Sequence, residues 1–172
     1  MDKRWILILI TIIMAVCCGY FIVSSSDSVG NAITDVNTFT VTVNPGFGIE
    51  STTLDTTNLI KRDGIEKVSI KDLGKKNIAL KEYNKKIKSL SKNPDIEITG
   101  NSSNTAGNYK IYTIIYHNNT KEELHNQSVS YLYTYKHTFS LSLNGFSDVS
   151  YMNEVINFTA KTLQPDYKKS QE

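Results

Sequence analysis

The chain has 172 residues, 40% apolar and 21% charged, with a formal net charge of +2. That is the balance of an ordinary globular protein; it excludes a disordered or strongly polyionic chain, and so small a net charge names no partner by itself. Both cysteines, Cys17 and Cys18, lie in the apolar N-terminal run, so the remainder has no disulfide, Cys-based zinc site or thiol nucleophile.

Lys3 and Arg4 precede an uncharged run, residues 5–23, from Trp5 to Val23. As a helix, these nineteen residues span ~28 Å, close to the ~30 Å of a bilayer core. Positive charge before the run and the polar Ser24-Ser25-Ser26-Asp27 after it predict a signal-anchor: a single-pass transmembrane helix in the cell membrane, N-terminus cytoplasmic, residues 24–172 extracytoplasmic. Trp5 and Tyr20 fall near the two interfaces. The competing reading is a cleaved signal peptide, for which Ser24 to Ser26 offer small residues. A lipoprotein would need a small residue where Val16 precedes Cys17, and a pilin-like helix would need a processing site and an inner Glu. The expected organisation is an anchor over 1–23, a spacer over 24–37, a domain over 38–164 and a flexible tail over 165–172.

Phe39, Val41 and Val43 alternate with Thr38, Thr40 and Thr42, the pattern of a half-buried strand, and Asn44-Pro45-Gly46 ends it. Asp63-Gly64 between Leu59-Ile60 and residues 65–70 predicts a hairpin. The period then changes. Leu80, Tyr83, Ile87 and Leu90 mark one face of a helix over 78–92, with Asn77 to cap it, Glu82 four before Lys86, and Pro94 beyond its end.

Ile96 and Ile98 open a further β segment. From Tyr109 to Tyr116, apolar residues fall on both faces: Tyr109, Ile111 and Ile115 on one, Tyr112, Ile114 and Tyr116 on the other. Such a strand sits in the middle of a sheet covered on both sides. Val129, Tyr131, Tyr133 and Tyr135 alternate in a third segment, and Phe139, Leu141 and Leu143 in a fourth that closes at Gly145. A last helix is expected over 148–163, capped by Ser147 or Asp148, with Met152, Val155, Ile156, Thr159 and Leu163 inward and Pro165 closing it. The order predicts an α+β fold, an antiparallel β-sheet flanked by helices, preceded by the N-terminal transmembrane helix.

This order resembles that of PsbP-like domains: an opening strand running into a Pro-containing turn, a hairpin, a helix, a run of antiparallel strands and a closing helix. The residues that carry the resemblance are Phe39-Thr40-Val41-Thr42-Val43-Asn44-Pro45-Gly46-Phe47, Ala79-Leu80-Lys81-Glu82-Tyr83 and Ile156-Asn157-Phe158-Thr159. The second is similar to the family's Leu-x-x-Tyr helix start with one residue fewer between. The resemblance covers about 37–164. It implies an α/β/α sandwich, a noncatalytic role and an accessory or assembly task on a membrane complex. It carries over no functional residue.

Charge is segregated along the chain. Residues 61–92 hold eleven Lys or Arg against four acids, a net +7, whereas residues 24–60 carry −4. Lys81, Lys85, Lys88 and Lys92 recur three or four apart and so share one helix face. They are the candidate contact with anionic lipid heads or wall polymers; a solvated lysine face is the plainer reading. Nucleic acid is not an expected partner outside the cell.

The histidines offer little. If strands 109–117 and 129–137 pair across the loop 118–128, His117 lies opposite Val129 and His137 opposite Tyr109, ~27 Å apart and unable to share a metal. His117 and His125 with Glu122 and Glu123 could meet around the loop, but solvated loop residues are the simpler expectation. Tyr131, Tyr133 and Tyr135 would bind a sugar if exposed, but strand alternation favours a sheet face buried under a helix.

The sequons at Asn101, Asn118, Asn126 and Asn157 are about as many as composition gives by chance. No nucleophile elbow, zinc-binding His pair or phosphate-binding Gly-rich loop is present, so no enzyme activity and no cofactor or metal is expected. The sequence therefore predicts a membrane-anchored extracytoplasmic, noncatalytic interaction or accessory domain. Its expected partners are the bilayer through residues 5–23 and a protein of the membrane or envelope. A surface ligand binder for glycan or anionic polymer is the alternative, and a hydrolase with a scattered site comes third.

Overall fold

The computed structural model describes residues 33–35, 38–106, 109–120 and 125–165. The expected anchor, residues 24–32 of the spacer, Glu122 and Glu123 of the loop, and residues 166–172 of the tail lie outside them. Among the described residues, no helix is long and apolar enough to cross a membrane.

The opening strand forms as its alternation requires. Strand β2 (Phe39–Thr42) buries Phe39 and Val41, and Val43 beyond it is also buried. It pairs antiparallel with β1 (Ile33–Asp35), so these three residues belong to the fold rather than to the spacer expected from sequence. A three-residue strand shows too few alternations to be read. Gly46, at φ +85, turns the chain where Asn44-Pro45-Gly46 announced it.

A hairpin the sequence did not suggest follows, β3 (Phe47–Thr52) with β4 (Thr56–Lys61). Only Phe47 of β3 is buried, and a bulge falls between Ile49 and Ser51, so an edge strand with no apolar period leaves no signal. The expected hairpin is β4 with β5 (Lys67–Asp72), turned at Gly64 with φ +81.

Helix α1 (Ala79–Leu90) comes next, then β6 (Ile96–Ala106), β7 (Tyr109–Asn118), β8 (Asn126–Thr134), β9 (His137–Phe146), α2 (Val149–Thr162) and β10 (Gln164–Pro165). Strands β3 to β9 make one seven-stranded antiparallel sheet in the order β3-β4-β5-β9-β8-β7-β6. The two-residue β10 pairs Pro165 with Phe39, which joins β2 and β10 to β1 in a small second sheet. Pro165 is therefore buried in the fold, not the first residue of a loose tail.

The sheet is covered on both faces, as the two-faced β7 predicts. On one side, Ile111 of β7, Leu132 of β8, and Phe139, Leu141 and Leu143 of β9 join Met152, Val155, Ile156, Ala160 and Leu163 from α2. Each large side chain so buried contributes about 1.5–3 kcal/mol before entropy is counted. Phe39 meets Phe139 edge-on at 5.5 Å, which ties the small sheet to this core. Asp148 caps α2 by accepting from the backbone N–H groups of Ser150 (2.7 Å) and Tyr151 (3.4 Å). On the other side, Ala79 and Leu90 of α1 meet Ile114, Val129 and Tyr131, with Tyr83, Ile87, Tyr112, Tyr116 and Tyr133 packed around them.

Two details of α1 differ from expectation. Asn77 does not cap it. The N-cap is Ile78, which uses no side chain, and its N–H donates to the Thr138 hydroxyl instead. Leu80 is half exposed, and Ala79 takes the inward place. The face holds at Tyr83, Ile87 and Leu90, and only its first position differs, where a small Ala fits as α1 enters against the sheet.

Gly145 does not close β9 but bends it. Its φ is +82, and a Cβ there would stand 2.3 Å from the Ile65 carbonyl oxygen. Only glycine satisfies both demands.

Candidate functional site

The charged segment of residues 61–92 divides into two halves that behave oppositely. In the strand half, lysines meet carboxylates. Lys61 reaches Glu66 at 2.5 Å, Lys67 reaches Glu50 at 2.8 Å, and Lys71 reaches Asp55 at 3.5 Å. Glu50 and Asp55 of residues 24–60 thus neutralise Lys67 and Lys71 of β5, while Lys61 is neutralised by Glu66 of its own segment. The Lys61 ammonium is held above its ordinary pKa, chiefly by its hydrogen bond to Glu66. Asp55 is held below its own, first by the Thr56 hydroxyl and then by Lys71.

The helix half is not neutralised. Residues 75–92 carry seven lysines and one glutamate. Lys81, Lys85, Lys88 and Lys92 are all exposed, and α1 places them on its outer face with Asn77, Leu80, Asn84 and Ser89. Glu82 answers only Lys85, at 3.8 Å, and does not pair with Lys86 as the i,i+4 spacing suggested. Lys86 instead lies 5.9 Å from the centre of the Tyr116 ring. Lys81, Lys88 and Lys92 meet no carboxylate among the described residues. The predicted site residues are brought together as one exposed cationic surface with Leu80 among them.

Beneath that surface lies a layer of tyrosines. Tyr83 packs on Tyr112 at 5.5 Å, and Lys110 lies 5.5 Å from the Tyr112 ring centre. Burial, assisted by the nearby Glu82 and Tyr116, pushes the Tyr131 hydroxyl up to about 12. Burial also raises Tyr116. Tyr131 and Tyr133 are therefore core, as strand alternation predicts. Tyr135 is not. It sits exposed at the β8–β9 turn with φ 46, and its hydroxyl accepts from Tyr109 at 3.4 Å.

The histidines are separated by their partners. β7 and β8 pair Tyr116 with Gln127 and Ile111 with Leu132, three residues out of step with the register expected from loop length. The odd difference matters, since only an even one keeps Val129 and Tyr131 facing α1. In the true register His117 meets Asn126, with Nε2 to Oδ1 at 2.6 Å. His137 meets no part of β7: its Nδ1 lies 2.9 Å from the buried Asp72, whose other oxygen accepts from the Gly74 N–H. Among the described residues no three His, Cys, Asp or Glu side chains are grouped to hold a metal. Asn126 is itself buried and donates to the Ser147 carbonyl, so its sequon is closed to modification in the folded chain.

Comparison with known proteins bears on the fold. No protein-family model matches the sequence, and no curated protein is similar to it in sequence. The structure is similar to the solution structure of cyanobacterial PsbP (CyanoP) from Synechocystis sp. PCC 6803, with a TM-score of 0.53 over 83% of this chain and 98% of that one. The fold is PsbP-like. At 11% identity the likeness is one of architecture and carries no residue across.

Proposed function

We propose that this chain is a membrane-anchored, extracytoplasmic, noncatalytic accessory domain that docks through the lysine face of α1 onto anionic headgroups of the membrane that holds it. The observation that carries the proposal is the contrast within one segment. Lys61, Lys67 and Lys71 on the strands are matched to carboxylates, while Lys81, Lys88 and Lys92 on and just beyond α1 are exposed and meet none among the described residues. Each juxtamembrane lysine contributes about 1 kcal/mol of attraction to an anionic leaflet. Leu80, exposed among them, adds an apolar contact of the kind that seats interfacial helices.

The anchor reading places the bilayer close by. Residues 24–32, fully extended, reach at most ~32 Å, so the headgroups lie within the domain's compass. Docked on α1, the domain would hold its remaining surface toward a protein partner in the membrane or envelope. A PsbP-like architecture is compatible with such a task.

The test is in cells. Full-length protein with a C-terminal tag and a photo-cross-linking residue in place of Lys88 should cross-link to lipid. The same probe in place of Thr53, on the β3–β4 turn, should give no lipid product. Equal products from both positions would refute the docking face, and an N-terminal tag accessible from outside intact cells would refute the anchor.

A further inference from the structure

On the α1 side of the sheet, the helix covers β6 to β9 and leaves the ends of β3, β4 and β5 uncovered. There a trough of about 290 Å³ opens. Its shape follows from side-chain size. The register sets Asn58, Ser69 and Ser142 side by side across β4, β5 and β9. These short side chains form the floor, while Tyr116 and Gln127 stand along one side and the Lys67–Glu50 pair along the other. A row of small residues between long ones makes a furrow.

The chemistry of the trough is distinct from that of α1. Its only charges, Lys67 and Glu50, cancel each other at 2.8 Å. What remains is neutral and offers both hydrogen-bond senses: the hydroxyls of Ser69, Ser142 and Tyr116 and the amides of Gln127 and Asn144. None of these five side chains makes a hydrogen bond to another described residue. Asn58 makes one, donating to Ser51 at 2.9 Å. Burial keeps the Tyr116 phenol protonated well past neutral pH, so it remains a donor.

We infer that this trough is a binding site for a neutral, hydroxyl-rich ligand, a saccharide of one or two rings. A sugar presents alternating donors and acceptors without charge, which matches unsatisfied hydroxyls and amides of both senses. An anion would find no unpaired cation there, and an apolar ligand would strand the amides. The volume lies at the lower end of small-molecule sites and suits a sugar rather than a larger cofactor. The inference does not rest on the role assigned to α1.

The experiment uses full-length protein in a zwitterionic detergent free of sugar headgroups, titrated calorimetrically with maltotetraose and with chitotetraose. At least one should bind saturably, with the same affinity at low and high salt. Ser142→Leu fills the floor at an exposed position and should weaken binding tenfold or more without lowering the melting temperature. Asn144→Ala removes an amide without filling space and should weaken it several-fold. The fourfold change K81E/K85E/K88E/K92E should leave it untouched. Failure of both sugars to bind, binding unchanged in both trough variants, or binding that falls with salt and with the α1 charge reversal would each overturn the inference.

Discussion

The two faces of the sheet are built to different rules. The α2 face is mainly hydrocarbon: phenylalanines, leucines and isoleucines from β2, β5, β8 and β9 close against Met152 and Val155, and hydroxyls buried among them pair inward, Thr113 with Ser130 and Thr159 with Asn44. The α1 face is made of tyrosines, serines and asparagines, is covered over only part of its width, and carries on its outside the unmatched lysines. The first arrangement maximises buried apolar area. The second keeps hydroxyls, amides and charges near solvent, where they are open to contact and add less to stability. On the proposed reading, one face carries the fold's stability and the other its contacts.

Substitutions on the two faces should therefore separate cleanly, and the α2 face should show the largest losses. Phe139→Ala removes a fully buried ring that touches Phe39 and His137, and should cost about 3–5 kcal/mol by denaturant melts. A loss below 1 kcal/mol would mean that this core is not what holds the fold. Next comes Gly145→Ala. Its left-handed backbone and the Ile65 carbonyl together should cost about 2–3 kcal/mol, and a neutral result would show that β9 relaxes freely there.

The α1 face should announce itself through pH. A tyrosine with an ordinary pKa near 10 unfolded and about 12 folded binds its proton more tightly in the folded state. Its contribution is complete below pH 10, declines as pH rises from 10 to 12, and is gone above that window. The decline from Tyr131 amounts to about 2 kcal/mol, with Tyr116 adding in the same direction. Tyr131→Phe should flatten the curve of stability against pH over that window. An unchanged slope would place the burden on other tyrosines.

The smallest structural effect belongs to the outermost residues. K81E/K85E/K88E/K92E should change stability by no more than about 0.5 kcal/mol, since exposed helix positions rarely matter to folding. That variant should remove binding to anionic vesicles without touching the fold, which sharpens the comparison most.

What was legible in the sequence follows the same division. The α2 face was written in strict alternation and helical period: Phe39 and Val41, Phe139 to Leu143, and every inward residue expected of the last helix took its place. Both faces of β7 could be assigned because apolar residues stood at odd and even positions alike. Beyond the core, the signal thinned. β3 is an exposed edge strand with a bulge and no period, and β1 is too short to show one. Leu80 counted toward a period that the small Ala79 in fact anchors. The β7–β8 register differs by three residues from the one that loop length implies, and this odd difference turns Tyr131 toward α1.

The candidate surfaces were legible unequally. The four lysines could be grouped from spacing alone, because helical period is local. Their neighbours on the strands looked equally basic, and only the sheet order brings Glu50 and Asp55 alongside Lys67 and Lys71. The trough could not be read at all. It is assembled from side chains of six strands, and no spacing along the chain announces it.

The measurement that bears most directly on the lysine face is sedimentation of residues 31–172, which contain every described strand and helix, with lipid vesicles. Its melting transition is checked first. The fragment should bind phosphatidylglycerol-containing vesicles and not pure phosphatidylcholine, lose affinity as salt rises, and fail to bind when Lys81, Lys85, Lys88 and Lys92 are reversed. Equal binding to neutral vesicles, or binding by the reversed variant as strong as by the native sequence, would contradict the account.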